Sequence, residues 1–183
     1  MDAQVSEYFE ALRGALAGGP PPELAAAADV VRDAVQAGKA IYTFGNGACA
    51  ALAGHMATDL GKGLGGRVRI VSLVENSALL TAYANDHDYE CVFEQPLRAL
   101  LREGDVAFGL SGSGRSGNVL AALEYAREAG GRTIAFTGSM GGTERLAACC
   151  DVVVRAPLDV IDQIEDLHVI YSHVLLQMLR ERL

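Results

Sequence analysis

Leu110-Ser111-Gly112-Ser113-Gly114-Arg115-Ser116-Gly117-Asn118 lies between two segments of different character. Before it, Asp105-Val-Ala-Phe-Gly-Leu110 is an apolar run that reads as a buried strand; after it, Val119 to Ala129 carries the apolar spacing of a helix. Three serines and three glycines at such a junction let the backbone turn tightly. Its amides and hydroxyls then converge on an anion, such as phosphate, at the positive end of the helix dipole. The same composition suits an ordinary connection, so the flanking chain has to decide between the two.

Outward from the loop, strands and helices alternate. Upstream, Lys39 to Phe44 reads as a strand, Gly45-Asn46-Gly47-Ala48-Cys49 as a sharp turn, and Ala50 to Leu60 as a helix. Arg67 to Leu73 is a second strand, and Ser77 to Tyr83 and Tyr89 to Leu101 are helices on either side of Ala84-Asn85-Asp86-His87-Asp88. Downstream come a strand at Arg132 to Thr137, a glycine-rich turn, a short helix at Glu144 to Ala148, a last strand at Asp151 to Arg155, and a long helix from Ile161 to Leu183. Two further helices lead the chain, Ser6 to Leu16 and Glu23 to Ala37, split by Gly18-Gly19-Pro20-Pro21-Pro22 and closed at Gly38. Strands that are apolar throughout and separated by helices predict a parallel sheet covered on both faces, an α/β three-layer sandwich. One domain over 1–183 follows, with 1–38 as leading helices and 39–183 as the α/β core.

Ligands of open sheets sit beyond the carboxyl ends of the strands, which here carry Gly45-Asn46-Gly47, Ser111 to Ser116 and Thr137-Gly138. The pattern is neither a P-loop nor a G-x-G-x-x-G fingerprint, since Ala50 stands where the third glycine belongs. A pocket for a small phosphorylated molecule remains. The net charge of −8 argues against nucleic acid or an anionic membrane as the main partner. No segment is apolar enough to span a bilayer, and the N-terminus lacks a signal-peptide pattern. Cys49, Cys91, Cys149 and Cys150 contain no C-x-x-C pair, which predicts a reduced, cytoplasmic chain with cysteines in its core; a redox-active Cys149–Cys150 pair is the alternative.

Gly45-Asn46-Gly47 running into His55-Met-Ala-Thr-Asp59-Leu60, then Asn85-Asp86, the serine loop, and the closing Asp162-Gln-Ile-Glu-Asp-Leu-His-Val-Ile-Tyr-Ser-His173 together resemble the sugar isomerase (SIS) family, and within it the phosphoheptose isomerase branch. The resemblance covers nearly the whole chain. It implies a flavodoxin-like SIS-type sheet, a homotetramer with active sites between subunits, and isomerisation of D-sedoheptulose 7-phosphate to D-glycero-D-manno-heptose 7-phosphate. It assigns the phosphate to Ser111, Gly112, Ser113 and Ser116, with Asn46, Gly47 and Cys49 nearby, and lines the pocket with Asn85, Asp86, Asp162 and Glu165. Asp59 and His173 take the catalytic acid and base positions. A zinc ion, bound in several members, would be held through His55, Asp59, Glu165 and His173.

The chemistry agrees on independent grounds. Moving a proton between neighbouring carbons through an enediol needs an acid, a base and a stabiliser for the developing oxyanion, and a carboxylate with a histidine can supply the first two. His55 and Asp59 are i and i+4 and share a helix face. At about 100° per residue, Asp162 and His173 point almost the same way, Glu165 lies about 60° to the side, and His168 points elsewhere. His168 and His87 read as structural or surface residues, and the polar stripe itself also suits a solvated helix face. The chain departs from the family in four ways. Asp59 is one methylene shorter than the usual glutamate, Glu165 replaces a neutral glutamine, and Cys49 stands where serine is usual. No family arginine follows the first core helix, which leaves Lys62 and Arg115 as the cations nearest the phosphate. The alternatives are an isomerase of another phosphosugar and a non-catalytic SIS module that binds a phosphosugar or a protein.

Overall fold

The five apolar runs form five parallel strands: β1 (Ala40–Gly45), β2 (Arg69–Ser72), β3 (Val106–Leu110), β4 (Arg132–Thr137) and β5 (Val152–Arg155). The computed structural model describes residues 3–183 and orders the strands β2-β1-β3-β4-β5. Among the described residues eight α-helices accompany them: α1 (Ala3–Ala17), α2 (Pro22–Gln36), α3 (Ala48–Gly63), α4 (Ser77–Asp86), α5 (Glu94–Leu100), α6 (Gly117–Glu128), α7 (Glu144–Cys149) and α8 (Ile161–Arg182). In this order the topological switch point falls between β1 and β3. Their register pairs Ile41 with Val106 and Gly45 with Leu110. The Gly45 turn and the serine loop therefore leave the sheet side by side. At the other end Asp105 fixes the same two strands: its Oδ1 accepts from the Ala40 amide at 2.8 Å and its Oδ2 from the Arg102 amide at 2.8 Å.

Two apolar layers sandwich the sheet. On one face Leu24 and Val31 of α2, Met56 and Leu60 of α3, and Leu167 and Leu175 of α8 close over Ile41, Phe108 and Phe136. On the other, Phe93, Leu97 of α5, Leu123 of α6 and Leu146 of α7 pack against Tyr42, Phe44 and Ala107. β1 and β3 are buried along their whole length. The expectation that every strand is covered on both faces fails at β2, where Val71 is 46% exposed. An edge strand has a sheet neighbour on one side only, and α4, which follows β2, buries none of its residues.

Of the leading helices, α2 covers the sheet, while α1 has no fully buried residue and lies against α8, with Leu12 and Ala15 half-buried on the core. The single helix expected over Tyr89 to Leu101 is instead a 3-10 turn at Tyr89–Cys91 followed by α5. Asp88 causes the first piece by accepting from the amides of Glu90 and Cys91 at 2.8 and 3.2 Å. Pro96 sets the start of the second, because a proline lacking an N–H fits only the first turn of a helix.

Candidate active site

The serine loop folds back on itself at the carboxyl end of β3. Ser111 Oγ and Ser116 Oγ lie 3.0 Å apart, the Gly114 amide donates to the Ser111 carbonyl at 3.0 Å, and the Arg115 amide donates to Ser113 Oγ at 3.3 Å. Gly114 has φ of +68°, and a Cβ there would lie 2.6 Å from Thr143 Cγ2, so both conformation and space call for glycine. No side chain caps α6 or α3. In α6 the Val119 amide donates to Asn118 Oδ1 at 3.0 Å and the Leu120 amide to the Ser116 carbonyl at 3.0 Å, which leaves the two amides before them, those of Gly117 and Asn118, to meet an anion beside the switch point.

The two loops are fastened together by a reciprocal amide pair. Asn46 Nδ2 donates to Asn118 Oδ1 at 2.8 Å and Asn118 Nδ2 donates to Asn46 Oδ1 at 2.9 Å. Tyr89 adds its hydroxyl to Asn46 Oδ1 at 2.9 Å. Neither Asn118 nor Tyr89 was singled out from the sequence. Asn118 had a readable signal, a side-chain amide in the first turn after the loop; the Tyr89 contact spans 43 residues and had none.

A cleft of about 430 Å³ opens between α3 and α8, lined by Cys49, Leu52 and His55 on one side and Asp162, Glu165 and Asp166 on the other. Burial pushes the Cys49 thiol above its ordinary value, opposed by a backbone hydrogen bond at Gly112. Burial, with Asp162 and Asp166 close by, also raises Glu165. Tyr8 of α1 closes the outer side, and its hydroxyl donates to Asp166 Oδ2 at 2.7 Å. That bond is the main reason the Tyr8 phenol is pushed up to about 12. His168 forms part of the inner wall. Fully buried, it lies 3.2 Å through Nε2 from the Thr137 carbonyl, and burial depresses its pKa to about 4. Its ring is therefore neutral and structural, as its place off the polar stripe suggested.

At the mouth of the cleft the two helices bring three reactive groups together. His55 Nε2 is 2.9 Å from His173 Nε2, and Asp59 Oδ2 lies 3.3 Å from the first and 3.5 Å from the second. The side chains of His55, His173 and Asp59 are 44%, 50% and 32% exposed. Two imidazole nitrogens and a carboxylate oxygen within 4.8 Å of one another form a group that could hold a metal ion. Three protein ligands with a position left open is the pattern of catalytic zinc. Of the four ligands implied by resemblance, Glu165 does not join. It precedes His173 by eight residues, about 12 Å along the helix axis, and lines the cleft instead.

The remaining expected residues divide. Gly47 caps α3 with φ of +56°. Gly112 packs beneath α8, where a Cβ would meet Ile161 Cδ1 at 2.4 Å. Asn85 and Asp86 are exposed at the end of α4 and bond to each other at 2.9 Å rather than to the serine loop. Neither Lys62 nor Arg115 lines the cleft; both are exposed, and Arg115 lies over Gly142.

Comparison with known proteins fits this geometry. The model of the SIS domain matches residues 7–138. The phosphoheptose isomerase of Rhodospirillum rubrum is 38% identical over 165 residues, 88% of this chain and 87% of that protein. The structure of phosphoheptose isomerase GmhA from Neisseria gonorrhoeae superposes with a TM-score of 0.88 at 30% identity, covering 98% of this chain and 96% of the other. A phosphoheptose isomerase from Francisella tularensis gives 0.90 at 27% identity, over 99% and 100%. Serine loop, cleft and extended similarity agree: the chain belongs to the SIS-domain family, and its resemblance within that family is to the phosphoheptose isomerases.

Proposed function

We propose that this protein is a ketose–aldose isomerase that converts D-sedoheptulose 7-phosphate to D-glycero-D-manno-heptose 7-phosphate. The observation that carries the reading is the meeting of His55, Asp59 and His173 beside a cleft whose Cys49 bonds to the backbone of Gly112 in the serine loop. Relatives and structural neighbours named phosphoheptose isomerase support it. A pure phosphosugar-binding module has no need of an acid and two histidines within bonding distance.

In this reading the phosphate rests on Ser111, Gly112, Ser113 and Ser116 and on the open amides of α6, with Asn46, Gly47 and Cys49 at its flank. The sugar chain runs along the cleft past Asp162 and Glu165 toward α3 and α8. One member of the Asp59–His173 pair removes a proton from C1 of the ketose, and the electron pair moves through the enediol to O2. The other member returns a proton to C2 while the O1 proton passes to O2, so that the aldehyde forms at C1 and a hydroxyl at C2. Proton transfer of this kind contributes roughly 10²–10⁴ in rate. His55, Asp59 and His173 are the residues that would hold a zinc ion, and when bound it would polarise the oxygens that carry the developing charge. The half-exposed trio and the unburied α1 fit a homotetramer in which a neighbouring subunit completes each site. Four free cysteines fit a reducing, cytoplasmic setting.

The test is NMR of purified protein with sedoheptulose 7-phosphate in heavy water, read as deuterium entering C2 of the product, beside a panel of other phosphosugars. His173→Ala, changed at a half-exposed position, is expected to fold and to lose at least about a hundredfold in turnover. Near-normal turnover by that variant removes His173 from the mechanism. Turnover of a different phosphosugar with none of the heptulose overturns the substrate assignment.

A further inference from the structure

At the opposite end of the sheet, α7 finishes with two adjacent cysteines. Cys149 and Cys150 are 4% and 8% exposed, and their sulfurs lie 4.0 Å apart. The peptide between them is held on both sides. Thr133 Oγ1 donates to the Cys149 carbonyl at 2.9 Å, the Cys150 amide donates to the Leu146 carbonyl at 2.9 Å, and the Asp151 amide donates to the Thr133 carbonyl at 3.0 Å. Cys149 borders an open cleft formed with Glu124, Arg127, Glu128 and Ala148.

This geometry disfavours a disulfide and favours a chelate. Adjacent Cα atoms are about 3.8 Å apart across a trans peptide, short of the roughly 4.4–6.8 Å that disulfides span, and the clamped backbone has little freedom to adjust. An ion with metal–sulfur bonds of about 2.3 Å at a tetrahedral angle needs its two sulfurs about 3.8 Å apart, close to the separation present. Holding both ligands in place beforehand removes much of the ordering cost of binding. The Cys149 thiol is lowered by its hydrogen bond with Cys150, which favours it as the first sulfur to attack.

We infer that Cys149 and Cys150 form a preorganised dithiol site for a thiophilic ion or a trivalent arsenical, separate from the isomerase cleft. With a monosubstituted arsenic(III) oxide the reaction balances without any redox change. Two S–H bonds and the arsenic–oxygen bonds break, two arsenic–sulfur bonds form, and the two protons leave with the oxygen as water.

The probe is phenylarsine oxide, added to the reduced, full-length protein and followed by intact mass. One adduct per chain is expected, with loss of one water, stable to excess monothiol and released by a dithiol. Peptide mapping of the wild-type adduct should place it on the segment containing residues 149 and 150. Cys149→Ser and Cys150→Ser should each weaken retention at least tenfold, while a Cys49→Ser/Cys91→Ser double variant keeps the adduct. Far-UV circular dichroism checks the fold of each variant, and the wild-type map stands without them. No stable adduct on the folded wild type, an adduct mapped elsewhere, or retention in both single variants overturns the inference.

Discussion

Replacing Asn118 by Asp tests whether the joint between the two loops belongs to an anion site. The change keeps shape and size. One carboxylate oxygen can still accept from Asn46 Nδ2, now 2.8 Å from Asn118 Oδ1. The other takes the place of an Nδ2 that stands 2.9 Å from Asn46 Oδ1, so a donor–acceptor contact becomes two acceptors face to face. Asn118 is only 4% exposed, and although Asn46 Oδ1 keeps its bond from the Tyr89 hydroxyl, a lost bond and a carboxylate oxygen facing it at such a site cost about 2 kcal/mol. At about 2–4 °C per kcal/mol for a domain of this size, the melting temperature should fall by about 4–8 °C. Asn118→Ala loses the same donor and should melt at a similar temperature. The two variants separate in kinetics. The new negative charge beside Ser111–Ser116 opposes a phosphate, so Asn118→Asp should raise KM for sedoheptulose 7-phosphate roughly tenfold beyond Asn118→Ala, the equivalent of about 1.4 kcal/mol. Thermal melts by circular dichroism and initial rates at neutral pH measure both effects. A KM for the Asp variant no higher than for the Ala variant would refute placing the phosphate there.

Three further outcomes follow from the geometry. His168 is held at a pKa of about 4 against 6.5 for a free histidine, so between those values the unfolded chain binds the extra proton; at about 1.4 kcal/mol per pH unit, stability fully present above pH 6.5 should decline by ~3 kcal/mol as pH falls to 4. His168→Phe, which leaves the Thr137 carbonyl its bond from the Ala156 amide, should flatten that limb in urea melts across the range, and an unchanged slope contradicts the assignment. Elemental analysis after zinc loading should show bound metal lost in His55→Ala and kept in Glu165→Gln; the reverse result would restore Glu165 as a ligand. Gly45→Ala should cost about 1–3 kcal/mol, because its Cβ would lie 2.7 Å from the Leu110 carbonyl and 2.8 Å from Cys49 Cβ, whereas Gly18→Ala, with nothing nearer than 3.6 Å, should be close to neutral in denaturant titrations.

The strand–helix alternation was legible because burial on both faces leaves β1 and β3 apolar apart from Thr43. The His55–Asp59 pair was legible as well, since i and i+4 share a helix face whatever surrounds them. Two kinds of feature were not. Local capping broke the expected Tyr89–Leu101 helix, a competition settled by Asp88 and Pro96 against the apolar spacing. Long-range contacts form the other class. His173 reaches His55 across 118 residues and Tyr8 reaches Asp166 across 158, and no spacing rule reports such distances. Glu165 shows the limit of angular reasoning: direction around a helix says nothing of the two turns of rise that separate it from His173.

The amide pair between Asn46 and Asn118 has an evolutionary consequence. It joins β1 to the start of α6, while the acid and both histidines ride on α3 and α8, packed in the other apolar layer across the sheet. In the proposed function, tail anchoring and head chemistry then lean on different apolar layers and touch where Gly112 packs beneath α8. Substitutions that repack α3 against α8 near His55 and His173 can then shift the trio and leave the Asn46–Asn118 joint in place. If the serine loop holds the phosphate as proposed, the chain length of the sugar becomes a property that selection can tune without first losing that grip.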